Sequence, residues 1–321
     1  MTYELQDRNF RDEVDAGDNG VLAPSSSRSA PPSEGRSSDS DPSRGAELSG
    51  GVASNGLSRT PGSRDRSLVY AIANQKGGVG KTTTAINLAA SLAQAGERVL
   101  LIDMDSQANA THGLGLRVPR GSPCILEVLL GESGLRDIIM KCSVPGLDVA
   151  PSSPETAGTE VLLANAEARE FRLKQALAKA ALPGSEYSYV FIDCPPSLGL
   201  LTVNSLVAAE QVIIPVQTEY YALEGLAQLM STIVAVKERL NPGLRVAGLV
   251  LTMVDSRTTL ARQVEREIRT HFPRLAFETV VPRNIRLAEA PSYGIPVCML
   301  DPHCAGSDAY FDLALEVIGR G

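Results

Sequence analysis

No apolar run in the 321-residue chain reaches the roughly 18 to 20 residues that a membrane-crossing helix needs. A basic stretch followed by an apolar one is missing at the N-terminus, so secretory targeting is not expected. Positive net charge is absent as well: 30 basic against 37 acidic side chains leave −7, which excludes a polycation that coats nucleic acid. Any such contact must be local. Cysteine is scarce, and the five present (Cys124, Cys142, Cys194, Cys298, Cys304) are odd in number and widely spaced. They read as reduced thiols of a cytoplasmic protein. The grouping Cys298, His303, Cys304 offers too few ligands at standard spacing for zinc. What remains, 43% hydrophobic and 21% charged, is a globular composition.

Residues 1–66 hold 13 Ser, 8 Gly and 5 Pro, with Tyr3 and Phe10 as their only aromatics. So little apolar area cannot offset the entropy of ordering, and the segment is expected to be a disordered tail. Its acidic start, residues 4–18, fits a helical face only loosely and reads as a solvated terminus. From Ser67 onward short Val/Ile/Leu runs alternate with helical patterns, the form of repeated βα units. The expected fold class is α/β: one phosphate-loop domain over residues 67–321, with a mostly parallel sheet covered by helices on both faces. Strands are expected at Leu68–Ala73, Arg98–Asp103, Leu147–Ala150, Tyr189–Asp193, Gln211–Val216 and Val246–Thr252. Helices are expected near Thr82–Ala95, Thr159–Ala180, Leu223–Leu240, Leu260–His271 and Asp308–Ile318.

The first strand runs directly into Asn74-Gln75-Lys76-Gly77-Gly78-Val79-Gly80-Lys81-Thr82-Thr83 and then a helical stretch. Glycines let backbone N–H groups turn inward around a phosphate, and the helix N-terminus adds positive potential. Lys81 is placed to reach the terminal phosphates of a bound nucleotide, and the Thr82 hydroxyl to ligate Mg²⁺. The common pattern has glycine where this chain has Gln75, and a second lysine stands at Lys76.

Two further acids end apolar strands. In Ile102-Asp103-Met104-Asp105 a period of two puts both carboxylates on one side as the chain leaves the sheet, where α/β ligands bind. The run Tyr189-Val190-Phe191-Ile192-Asp193 has the Walker B form, which assigns Asp193 to Mg²⁺. Cys194 has no basic neighbour and reads as a small buried hydrophobe.

The loop with Lys76 resembles the deviant Walker A form of the ParA/MinD group of ATPases. Resemblance to the ParA/Soj chromosome- and plasmid-partitioning branch extends from Val69 to Ile318. It rests also on Thr218-Glu219-Tyr220-Tyr221-Ala222-Leu223-Glu224-Gly225, on Leu251 to Thr258, and on Val281 to Ser292. The resemblance implies that Lys76 reaches across an ATP-bound homodimer to the partner's nucleotide. It gives Asp105 the role of positioning or activating the attacking water, though Ser106 replaces the family's usual proline. Met253, Pro282 and Asn284 match positions near the adenine, and Arg257 and Arg286 match DNA contacts. Ile295 stands where the family often has lysine. A ParB-type centromere-binding protein is the implied partner and stimulates turnover, on a nucleoid-associated ATPase with no membrane contact. The alternatives are a MinD-like ATPase at the membrane, which needs a basic amphipathic C-terminal helix, and the nitrogenase iron protein class, which needs cluster cysteines.

Charge arithmetic points the same way. Residues 257–286 carry seven Arg against three Glu, a net of +4 inside a chain of −7. Such a patch binds phosphates without reading bases, and salt weakens it.

Overall fold

A computed structural model describes residues 66–154, 158–182 and 186–320. The expected tail lies outside the described residues, apart from Arg66. Eight strands form one sheet: β1 (Leu68–Ile72), β2 (Val99–Asp103), β3 (Met140–Lys141), β4 (Leu147–Ala150), β5 (Tyr189–Asp193), β6 (Gln211–Gln217), β7 (Arg245–Val254) and β8 (Ala276–Pro282). Their order is β3-β4-β2-β5-β1-β6-β7-β8. All neighbours are parallel except β3, which pairs antiparallel with β4 at one edge. The described helices of nine or more residues are α1 (Lys81–Gln94), α2 (Arg172–Ala180), α3 (Leu200–Ala208), α4 (Ala222–Arg239), α5 (Thr259–His271), α6 (Ile285–Tyr293) and α7 (Ala305–Arg320).

Continuous apolar strands feed two cores because successive side chains point to opposite faces. Along β2, Val99 and Leu101 join Tyr70, Phe191, Leu88, Leu92, Tyr310 and Leu313 on the face covered by α1 and α7. Leu100 and Ile102 join Val190, Ile192, Leu173 and Leu201 on the other. Ala309, Tyr310, Leu313, Ala314 and Val317 of α7 thus pack inside the first core.

Two strands escaped the sequence reading. β3 has only two residues, and β8, with an exposed Glu278 and Pro282 at its end, is an edge strand without an apolar run. The expected helix over Thr159–Ala180 is a correction: it breaks into Thr159–Leu163, a 3-10 turn at Arg169–Phe171, and α2. Asn204, buried on α3, holds the second of these breaks, at the start of α2. Its Nδ2 donates to the Arg169 carbonyl at 2.8 Å, and its Oδ1 accepts from the Leu173 amide at 3.2 Å. A side chain distant in sequence therefore caps α2 and supplies partners that a continuous helix would have supplied itself.

Gly248 in β7 marks a close approach. A Cβ there would stand 2.7 Å from the Leu275 carbonyl oxygen and 2.5 Å from the Phe277 ring. Gly248→Ala is expected to lower stability by about 1–3 kcal/mol, as overpacking does. Urea denaturation reads this as a lower midpoint with unchanged slope.

Candidate nucleotide-binding and catalytic site

β2, β5 and β1 are neighbours in the sheet, so Asp103, Asp193 and the glycine loop emerge side by side at the strand carboxyl ends. That is where open α/β sheets bind ligands. The loop is held from β6. Beyond Ile213 no β1 backbone is left to pair with β6, and the Asn74 side chain takes over. Its Nδ2 donates to the Pro215 carbonyl at 2.7 Å, and its Oδ1 accepts from the Lys76 amide at 3.0 Å. On the far side the Thr252 hydroxyl donates to the Val79 carbonyl at 2.8 Å. Asn74 and Thr252 both lie within motifs read from the sequence, but neither was assigned a role there.

Gly80 enters α1 with φ 88°, a conformation that a side chain makes costly. Cβ atoms at Gly77 and Gly78 would project into open space, so the loop backbone faces a free cradle. Gly77, Gly78, Gly80, Lys81, Thr82, Thr83, Asp105 and Met253 all border one cleft of about 430 Å³. Val79 is buried behind it. A second cavity of about 210 Å³ is bordered by Pro282, Asn284 and Tyr310, and it shares Gly80, Thr83 and Met253 with the first. The residues expected near phosphate and those expected near adenine thus meet at Met253. That residue holds φ 52°, strained for a non-glycine and typical of ligand clamps. Asn284 also works structurally: its Oδ1 accepts from the Arg286 amide at 2.8 Å and caps α6.

The acids separate by environment. Asp193 is fully buried, and neither carboxylate oxygen makes a hydrogen bond of normal geometry, although the Thr82 hydroxyl lies close by. Burial, then the neighbouring Asp103 charge, raises its pKa well above the usual carboxylate range. A buried, unpartnered carboxylate next to a threonine hydroxyl fits a hard cation with oxygen ligands. Burial likewise lowers the pKa of Lys81, against the opposing charges of Asp193, Cys194 and Asp105. The Lys81 ammonium donates to the Lys76 carbonyl at 3.1 Å. Asp103 faces away from the cleft's business: it accepts from the Asp105 amide and from both the amide and the hydroxyl of Thr111. Burial pushes its pKa up to about 6. Asp105 is the acid that reaches the cleft. Burial also lifts the Cys194 thiol to about 12, which leaves it an inert packing group.

Lys76 borders neither cavity. Its ammonium lies 2.5 Å from Glu219, with the two side chains 36% and 47% exposed. The two arginines assigned to DNA also have carboxylate partners. Arg257 grips Asp255 with two bonds of 2.8 Å, which hold that carboxyl down at about 2. Arg286 lies 2.9 Å from Glu289 and 3.2 Å from Asp301.

Residues 67–246 match a protein-family profile described as an AAA domain. The chromosome partitioning protein ParA of Caulobacter vibrioides is 51% identical over 252 residues, which cover 78% of this chain and 94% of that protein. The chromosome-partitioning ATPase Soj of Thermus thermophilus is 50% identical over 250 residues, 78% of this chain and 95% of its own. Among solved structures, the cobyrinic acid a,c-diamide synthase of Mycobacterium smegmatis, with a bound ATP analogue and magnesium, superposes with a TM-score of 0.68. It is 36% identical and covers 78% of this chain and 94% of that one. A glycine loop, acids at adjacent strand ends and half-identity over nearly the whole length of these relatives agree: the chain belongs to the ParA/Soj family of chromosome-partitioning ATPases.

Proposed function

We propose that residues 67–321 act as one nucleotide-switched domain in which ATP governs dimerisation and dimerisation governs DNA binding. The observation that carries this reading is the unpartnered Asp193 carboxylate buried beside Thr82 at the base of an open glycine cradle. ATP phosphates would lie against the backbone of Gly77 to Thr83, with Lys81 on the terminal phosphates and the base toward Met253, Pro282 and Asn284. Thr82 and Asp193 would hold Mg²⁺, which when bound neutralises phosphate charge. Asp105 would orient the attacking water.

Lys76 would complete the partner's site in a closed homodimer. Its present partner does not oppose this strongly, because an exposed ion pair such as Lys76–Glu219 is worth only about 0–1 kcal/mol. The closed dimer would present two copies of the arginine patch at Arg257 and Arg286 and so bind nonspecific DNA with avidity. Hydrolysis, stimulated by a ParB-type partner, would release it from the nucleoid within the cytoplasm. No described helix is long and apolar enough to cross a membrane.

The DNA step is tested by Arg286→Glu with ATP present. The variant is expected to bind duplex DNA about tenfold more weakly, with a salt slope smaller by about 1 per lost phosphate contact. Nucleotide affinity should stay as in the wild type. Equal DNA affinity over the whole salt range would remove Arg286 from the interface.

A further inference from the structure

The Asp105 loop carries an unusual number of constraints for a surface turn. Asp103, fully buried at the end of β2, accepts from the Asp105 amide at 3.1 Å. Its second oxygen accepts from the Thr111 amide at 2.8 Å and from the Thr111 hydroxyl at 2.7 Å. The same hydroxyl accepts from the Ser152 amide at 3.0 Å, just beyond β4. Thr111 is itself fully buried. One threonine therefore ties together the ends of β2 and β4 and the short helix Asn109–Gly113, whose Asn109 and Gly113 border the phosphate cleft.

Between these anchors the chain is tightly folded. The Asp105 carboxylate accepts from the Gln107 amide at 3.0 Å, and its carbonyl accepts from the Ala108 amide at 2.9 Å. Ala108 has φ 54°, a left-handed conformation that a residue with a Cβ keeps only where its surroundings over-determine it. The hydrogen bonds from Thr111 are the constraint at the far end of that turn.

We infer that Thr111 is a positioning residue for ATP hydrolysis: through Asp103 and the Ser152 amide it fixes the Asp105 loop against the phosphate cleft. The inference rests on the reading of Asp105 as the residue that orients water. Thr111 borders neither cavity. It acts by holding one carboxylate where a displacement of about 1 Å costs on the order of 100-fold in rate. Valine has the shape of threonine and keeps the backbone bond to Asp103, but it loses both hydroxyl bonds. Serine keeps them.

Steady-state ATPase assays on the full chain test this. Thr111→Val is expected to lower kcat by about tenfold to a hundredfold with KM for ATP within about twofold of wild type. Thr111→Ser, which keeps both hydroxyl bonds, should restore most of the rate. In an Asp105→Ala background Thr111→Val should add no further loss, since both then act through one group. Wild-type kcat in Thr111→Val overturns the inference. So does a matched loss of kcat and ATP affinity, or a full additional loss in the Asp105→Ala background. If the valine variant is insoluble, Thr111→Ala, which also loses both hydroxyl bonds, replaces it with the same expected outcomes. Wild-type turnover in Asp105→Ala overturns the underlying reading of that acid; a slow Asp105→Ala beside an unaffected Thr111→Val overturns the inference alone.

Discussion

Lys76→Ala is expected to bind ATP as a monomer and to hydrolyse it at no more than about one-thousandth of the wild-type rate. The lysine stands outside both cavities, so its loss is expected to spare nucleotide binding within its own chain. In the monomer it lies against Glu219, a partner that solvent screens. Its proposed work is done across the dimer, on phosphate charge that water no longer reaches. A cation supplied in trans at such a place is worth about 10³ to 10⁵ in kcat. Removing one member of a buried interfacial pair costs about 2–5 kcal/mol of association free energy, or on the order of 30-fold to several-thousand-fold in affinity. Sedimentation with a non-hydrolysable ATP analogue is the measurement. A wild-type dimer that closes beside a monomeric Lys76→Ala supports the scheme, whereas a variant that dimerises normally would falsify the crossing of Lys76.

Asp105→Ala separates assembly from chemistry in the opposite sense. The carboxylate borders the cleft but belongs neither to the glycine loop nor to the second cavity, so nucleotide affinity and dimerisation should survive. Loss of a positioned base or water-orienting group costs about 10² to 10⁴ in rate. The expected product is a long-lived ATP dimer that stays on DNA. Some stability is lost too, about 1 kcal/mol, because the Gln107 amide loses its acceptor. Single-turnover hydrolysis beside a dimer-lifetime assay reads both effects. Rapid hydrolysis, or a dimer that falls apart at the wild-type rate, would take Asp105 out of the reaction.

Much of this architecture is legible in sequence because its physics is local. The strands β1, β2 and β5 are uninterrupted apolar runs, and that pattern follows from burial on both faces of a parallel sheet. The glycine loop is legible for a similar reason: positive φ at Gly78 and Gly80, backbone amides turned inward and a helix starting at Lys81 all fall within a few consecutive residues. Edge strand β8 and the broken helix before α2 were hidden because their causes are remote. β8 exists by pairing with β7, and α2 starts where Asn204 of α3 caps it.

The two carboxylates of Asp103-Met104-Asp105 show the limit most sharply. Spacing places both on one side of a strand end and cannot rank them. Tertiary structure does, by drawing Asp103 under Thr111 and leaving Asp105 at the cleft. The arginine patch divides in the same way. Its net charge is a property of composition, but that Arg257 and Arg286 already rest on Asp255, Glu289 and Asp301 depends on where the chain turns. The sequence by itself determined the α/β class, the phosphate loop and the family, since each is written in neighbouring residues. Only the tertiary structure decided that Asp105 borders the cleft while Asp103 is buried under Thr111, where Lys76 lies without a partner chain, and what holds Asp105 in place. Those depend on contacts that spacing does not fix, from Asp103–Thr111, eight residues apart, to Thr111–Ser152 and Lys76–Glu219, whose geometry is set by packing.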